Sequence, residues 1–418
     1  VGIIGVGGIS EFHISGYRRN PNVELYAFCD INEQRLKEKG ERYGITRLYT
    51  DVNEMVKLPE LDAVSVCTWN SAHAPCTIAA LKAGKHVLCE KPMALNAQEA
   101  EEMYAAAKES GKLLQIGFVR RFGNDCAVMK DFIDNGYFGD IYYAKATYLR
   151  RKGCPGGWFG DKSRSGGGPL IDLGVHVIDL ARYIAGCPKP VSAYGVTFDK
   201  LGSRPEIRMR PGEYKASDAG AASDVEDFAS ALIRFDNGFT IGIEASFDMN
   251  LPGENNIVFL GTKAGATISP DLKIYSTAHG YMTNVTLDMP TALDFNGLFE
   301  REIDDYVDCV LTGRASNAPA EDGVILIPST VMTVAESHSK NVNVEACAAV
   351  EEWLLSEEAQ KLIMQGYMHS VFAQMEEIPY KSVDTNWLIQ KDLGVDWENA
   401  YQNRQEINTT WTEIVTSK

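Results

Sequence analysis

Residues 1–117 alternate short apolar runs with longer amphipathic stretches, and this alternation constrains the fold more than any other feature. The runs VGIIG, VELYAFCD, LDAVSVCT, HVLCEK and LLQIGF are nearly continuously apolar, as strands buried on both faces of a parallel sheet must be. Between them lie ISEFHISGYRRN, NEQRLKEKGERYG, SAHAPCTIAALKAG and NAQEAEEMYAAAKESG. Each is long enough for a helix, and most end near Gly or Asn, where helices stop. Strand and helix in turn predict an α/β, doubly wound domain over residues 1–120.

The rhythm then changes. IYYAKATYLRR alternates like a half-buried strand, a glycine-rich loop and a helix from about Leu170 to Ala185 follow, and ALIRF-DNG-FTIGIEASF has hairpin form around Asp236-Asn237-Gly238. Residues 121–323 therefore read as an α+β domain with a large, mostly antiparallel sheet, one face of which is left for a partner subunit. A third change falls at Val324. Beyond it only Gly366 and Gly394 remain of the 37 glycines, so residues 324–418 read as a separate, helical tail.

A net charge of −17 argues against a nucleic-acid surface. Nine cysteines without a C-x-x-C pair read as reduced thiols and favour a cytoplasmic location. No stretch approaches the ~20 apolar residues of a membrane span, so no membrane partner is expected.

The first strand runs into Gly5-Val6-Gly7-Gly8-Ile9-Ser10 and then a helix. In a dinucleotide fold the first glycine makes the tight turn. The second lets the backbone approach a pyrophosphate at the helix N-terminus, and the third position, here Ser10, must be small. The next strand ends on Asp30, 25 residues after Gly5, which suits an acid on the ribose 2′-hydroxyl. A carboxylate there repels a 2′-phosphate, so NAD is favoured over NADP. Thr68, Asn70 and His73 follow the strand LDAVSVCT, where ligands of α/β sheets lie.

A strand that ends on Glu90-Lys91-Pro92 leaves a lysine at the same sheet edge. Downstream, Asp172, His176 and Asp179 fall at i, i+4 and i+7, one face of a helix. Asp172 is placed to orient the His176 imidazole as a general base, although a structural Asp–His pair has the same spacing. The spacing also fits a metal, but no second ligand cluster accompanies it, and no metal is expected.

GIIGVGGIS, AFCDIN, CTWNSAHAP, AGKHVLCEKPMA, Arg121-Phe122 after IGF, and GGGPLIDLGVHVIDL, in this order, resemble the Gfo/Idh/MocA family of glucose–fructose oxidoreductase and inositol 2-dehydrogenase. The likeness runs from Val1 to about Gly323. It implies a Rossmann-type NAD-binding domain, a sheet domain for substrate and oligomerisation, and a catalytic set of Lys91, Asp172 and His176. The Lys91-Pro92 bond is expected to be cis. The cofactor site implied is Gly5, Gly7, Gly8, Ile9, Ser10, Asp30, Thr68, Asn70, His73, Glu90 and Lys91. Lys91, Asp172 and His176 also face substrate, with Arg121 and Trp158 as further candidates.

The activity implied is hydride transfer between NAD and a hydroxyl carbon of a sugar, sugar derivative or cyclitol. His176 is the expected base, with Lys91 as the cation that stabilises a developing alkoxide, and Lys91 as the alternative group to take the proton. The expected assembly is a homodimer or homotetramer. From Val324 onward the likeness ends, and ACAAVEEWLLSEEAQKLIMQGY resembles the C-terminal segment of ABC-importer solute-binding proteins. A competing reading is therefore a non-catalytic binding protein or scaffold, or a transport component acting through the tail. The complete Lys91, Asp172 and His176 set favours the enzyme.

Overall fold

The computed structural model describes residues 1–202, 204, 216 and 223–326. The tail expected at 324–418 lies outside the described residues from 327 on. Six parallel strands form the first sheet: β1 (Gly2–Ile4), β2 (Ala27–Cys29), β3 (Leu48–Tyr49), β4 (Ala63–Val66), β5 (His86–Glu90) and β6 (Leu114–Gly117). Their order is β3-β2-β1-β4-β5-β6, so the chain reverses direction between β1 and β4. In such a sheet, ligands collect at this switch point, outside the carboxyl ends of the strands.

Strand β3 carries none of the apolar signal of its neighbours. It is a two-residue edge strand, only half-buried, pairing with Phe28 and Cys29. The helices follow their capping signals. Asn32 and Asn96 accept the Arg35 and Glu99 amides, and Gly44 and Gly111 close the same two helices in the left-handed conformation.

The second sheet holds β7 (Ile141–Leu149), β8 (Pro190–Phe198), β9 (Phe228–Phe235), β10 (Thr240–Ser246), β11 (Glu254–Gly261), β12 (Ala264–Thr267), β13 (Lys273–Ala278) and β14 (Tyr281–Val285). The order is β14-β13-β12-β11-β7-β10-β9-β8. Every pairing is antiparallel except β7 with β10. Period-two alternation buries Ala229, Ala231, Ile233 and Phe235 on one face of β9. Against that side of the sheet pack Val177, Ile178, Ala181 and Ile184 of the Val175–Ile184 helix. The opposite face presents Tyr194, Leu232 and Leu260 to solvent.

The chain then returns to the first sheet. The Phe295–Thr312 helix packs on the Ser10–Arg19 helix, and Ile303, Tyr306 and Val307 join Ile3, Ile14, Tyr17 and Phe28 in one buried cluster. A Cβ on Gly16 would stand 2.9 Å from Ile303, so the two helices approach as closely as a glycine permits. After the helix, the Ala318 carbonyl accepts the Ile116 amide and extends the β6 edge. Among the described residues, no helix is long and apolar enough to cross a membrane.

Candidate active site

The carboxyl ends of β1, β2, β4 and β5 converge on the expected residues. At the end of β1, Gly5 has φ +85°, and a Cβ there would lie 2.7 Å from the Cys67 carbonyl oxygen. Only glycine combines that dihedral with that approach. Gly7 has open space where a side chain would stand, as a backbone bound for a pyrophosphate requires. Gly8 is exposed and Ile9 half-buried, while Ser10 is buried and its Oγ donates to the Gly7 carbonyl at 2.7 Å. That internal bond explains why serine serves at the third position.

Asp30 follows β2 and is 8% exposed. Its Oδ2 accepts the Val6 amide of the glycine loop at 2.9 Å, and its Oδ1 accepts the Asn32 amide at 2.8 Å. The acid thus ties the loop to the second strand. Thr68 follows β4, and its buried Oγ1 has no hydrogen-bond partner among the described residues. A buried hydroxyl without a partner costs free energy, so a ligand group that pairs with it would be favoured. The open Gly7, the Thr68 hydroxyl and the Asp30 carboxylate form a donor and acceptor set that fits a dinucleotide.

Three of the expected cofactor residues are turned elsewhere. Asn70 donates to the Ser165 carbonyl at 2.7 Å. His73 lies between two carbonyls, with Nδ1 2.7 Å from Pro92 O and Nε2 3.1 Å from Thr68 O. Burial lowers its pKa, so the neutral ring carries one N–H and donates to one of the two carbonyls. Glu90 points into the protein, where Oε1 accepts from His13 Nε2 at 2.8 Å.

The Lys91–Pro92 peptide is cis. Lys91 Nζ donates to Asp172 twice, to Oδ1 at 2.8 Å and to the backbone oxygen at 2.9 Å. Both side chains keep partial solvent contact, at 16% and 13%. Asp172 lies in a turn of π-helix, Leu170–Gly174, that runs into the Val175–Ile184 helix. This corrects the expectation that Asp172 orients His176, because its carboxylate is held by Lys91. A charged Lys91 ammonium binds a half-buried carboxylate more strongly than a neutral imidazole does, and Asp172 is committed to it. Among the described residues no hydrogen bond joins Asp172 to His176.

His176 stands 6.3 Å, ring to ring, from Tyr148. Burial lowers its pKa well below the usual imidazole value, and Lys91, Arg120 and Arg150 push in the same direction. The ring is therefore neutral and able to accept a proton at neutral pH.

Arg121 does not face the site. Nε donates to Asp179 Oδ2 at 2.9 Å, Nη2 to Asp179 Oδ1 at 2.5 Å, and Nη1 to Asp322 Oδ2 and Asn317 O, both at 2.8 Å. With 1% of its side chain exposed, it is the centre of a buried ion network rather than a substrate contact. Trp158 lies in the 3-10 turn Gly157–Gly160 and stacks on Phe159 at 3.8 Å.

Two residues that sequence reasoning missed shape this region. Glu226 accepts the Gly168 amide at 2.8 Å and the Leu170 amide at 3.4 Å, fixing the entry to the π-turn. Gly168 is required there, because a Cβ would lie 2.3 Å from the Glu226 carbonyl oxygen. Arg150, over the Tyr148 ring at 5.4 Å, adds positive charge beside His176.

Known proteins share this architecture. Residues 1–118 match the oxidoreductase family with an NAD-binding Rossmann fold, and residues 126–267 match the GFO/IDH/MocA C-terminal domain. The D-glucoside 3-dehydrogenase of Escherichia coli K12 is 36% identical over 330 residues, which is 78% of this chain and 92% of that protein. The levoglucosan dehydrogenase of Pseudarthrobacter phenanthrenivorans is 31% identical over 281 residues, 62% of this chain and 69% of the relative. A solved structure of levoglucosan dehydrogenase in complex with NADH shares the fold, with a TM-score of 0.69 at 23% identity over 80% of this chain and 96% of the other.

Proposed function

This chain belongs to the Gfo/Idh/MocA oxidoreductase family, and on that premise we propose that it oxidises a secondary hydroxyl of a pyranose sugar or glucoside with NAD. The observation that carries the reading is the Lys91–Asp172 pair, placed at the end of β5 beside a dinucleotide loop. Bound NAD supplies the hydride acceptor, and the chain's own groups do the rest.

Gly5, Gly7 and Thr68 hold the cofactor, with Asp30 on the ribose. Lys91, anchored by Asp172, sets a cation against the substrate oxygen and stabilises negative charge as the hydroxyl proton leaves. His176, neutral and without a hydrogen-bond partner among the described residues, takes that proton. Asp172 acts on Lys91 rather than on the imidazole.

We place the enzyme in the cytoplasm, in keeping with free thiols at Cys29, Cys67, Cys76, Cys89, Cys126, Cys154, Cys187 and Cys309. Its assembly is a homodimer or homotetramer through the sheet face that carries Tyr194, Leu232 and Leu260. The deciding experiment follows NADH absorbance across glucosides, anhydrosugars, aldoses and inositols. NAD-dependent oxidation of a pyranose substrate is expected. If NADH binds and no polyol is turned over, the dehydrogenase reading is lost.

A further inference from the structure

The Phe295–Thr312 helix carries Glu302 to the buried side of the Glu90-Lys91-Pro92 turn, and the reaction above leaves that carboxyl unused. Glu302 has no solvent exposure, and neither of its oxygens meets a hydrogen-bond donor among the described residues. An oxygen of Glu302, an oxygen of Glu90 and a ring nitrogen of His13 lie within 4.8 Å of one another.

Glu90 is already engaged on two sides. Its Oε1 accepts from His13 Nε2 at 2.8 Å, and its Oε2 accepts the Lys91 amide at 3.2 Å. Behind His13 the polar chain continues, with Nδ1 3.1 Å from Ser65 Oγ and Ser65 Oγ 2.7 Å from the Tyr17 hydroxyl. Running the donors from Tyr17 to Ser65 to His13 Nδ1, and from Nε2 to Glu90, satisfies each member of the chain. No donor in it is left over for Glu302.

Two carboxylates at this separation in a dry interior cannot both stay ionised, and the favoured state keeps a proton on one of them. Asp305 adds a further negative charge from the same helix, and Tyr17, Tyr306, Cys67 and Cys89 line the region as weak acids. Lys91 and His13 lie on the side of Glu90, whose pKa is depressed despite its burial by His13 first and then Lys91. The proton therefore resides on Glu302, where burial, Glu90 and Asp305 all raise the affinity.

We propose that Glu302 is a protonated positioning residue, whose carboxyl proton faces Glu90, holds it on the Lys91 amide and so keeps the lysine aimed at Asp172 and the substrate oxygen. This rests on the hydride-transfer reading above. A cation at His13, Glu90 and Glu302 is the competing use of these side chains. It is disfavoured because His13 Nε2 already donates to Glu90 and has no lone pair to offer.

The full-length protein and its Glu302→Gln and Glu302→Ala variants test this in two ways. Infrared difference spectroscopy at neutral pH should show a protonated carboxylic-acid carbonyl band that Glu302→Gln removes. If no band depends on Glu302, the proposal fails, whether or not a substrate has been found. In steady-state kinetics Glu302→Ala should lower kcat by about tenfold with little change in the KM for NAD. Glu302→Gln, which keeps a donor facing Glu90, should restore kcat to within about threefold of wild type and move the alkaline limb of the kcat profile upward. Wild-type kcat in Glu302→Ala, an unaltered alkaline limb in Glu302→Gln, or one equivalent of bound metal lost with Glu302 would each overturn the assignment. A wild type that binds NADH and oxidises no polyol would instead reject the function itself, with the infrared band still deciding the protonation of Glu302.

Discussion

Arg121 separates a structural reading from a catalytic one most sharply. Its guanidinium bridges Asp179 and Asp322, and the side chains of Arg121 and Asp179 are each 1% exposed. Replacing it with methionine strands Asp179, whereas Asp322 keeps Arg182 at 2.7 Å. Removing one member of a buried pair costs about 3–5 kcal/mol. The lower end applies here, because burial already raises the Asp179 pKa and the stranded carboxyl can be neutralised by a proton. A folded unit of roughly 300 residues unfolds with an entropy near 0.6 kcal/mol/K, so ~3 kcal/mol lowers Tm by about 5 °C. Calorimetry should show that drop, growing toward alkaline pH as protonation of Asp179 becomes harder. Assayed well below Tm, kcat/KM should stay within about threefold of wild type. An unchanged Tm with a tenfold rise in substrate KM would refute the reasoning and return Arg121 to the substrate site.

Three further outcomes follow from the same geometry. Lys91→Ala should reduce turnover by at least about 10³-fold, because it removes the cation at the reacting oxygen, and leave the NADH Kd within about threefold. Turnover near wild type would sink the role given to Lys91. Gly5→Ala sets a Cβ 2.7 Å from the Cys67 carbonyl at φ +85°. It should weaken NADH binding by at least about tenfold and cost about 1–3 kcal/mol of stability; wild-type affinity by calorimetry would show that the loop does not hold the cofactor. Burial, with Lys91, Arg120 and Arg150 behind it, lowers the His176 pKa below its ordinary 6.5. The acid limb of kcat/KM should therefore lie below pH 6.5, and Arg150→Met should move it upward. The unfolded chain takes up this proton first as pH falls, so the folded state also loses stability below pH 6.5. An acid limb at 6.5 or above would exclude His176 as the base.

The parallel sheet was legible because strands covered on both faces must be apolar throughout. Strand β3 was not, since two half-buried edge residues need no such pattern. The site was legible as a list and not as a geometry. Gly5, Asp30 and Lys91 are marked by local sequence, and the structure puts them at the carboxyl ends of β1, β2 and β5 in one sheet. Arg121 looks polar and available, yet its partners Asp179 and Asp322 lie 58 and 201 residues away. His73 has the spacing of a ligand contact and instead lies buried between the carbonyls of Thr68 and Pro92, one of which its N–H reaches. Spacing of i and i+4 joined Asp172 to His176, yet the carboxylate is taken by Lys91, 81 residues away in the chain, a contact that local spacing does not reveal.

Glu90 follows the same logic one step further. Successive side chains of an extended strand point to opposite sides, so a lysine delivered to the site at the end of β5 sends the preceding residue into the interior. In this chain that residue is a glutamate, 5% exposed, and a buried carboxylate demands partners. His13, from the Ser10–Arg19 helix, supplies one, and the Lys91 amide supplies another. Glu302, from a helix some 200 residues later in the chain, closes the remaining side. The Phe295–Thr312 helix packs on β1 and its neighbours through Ile303, Tyr306 and Val307, and this apolar contact carries Glu302 to the buried side of the lysine.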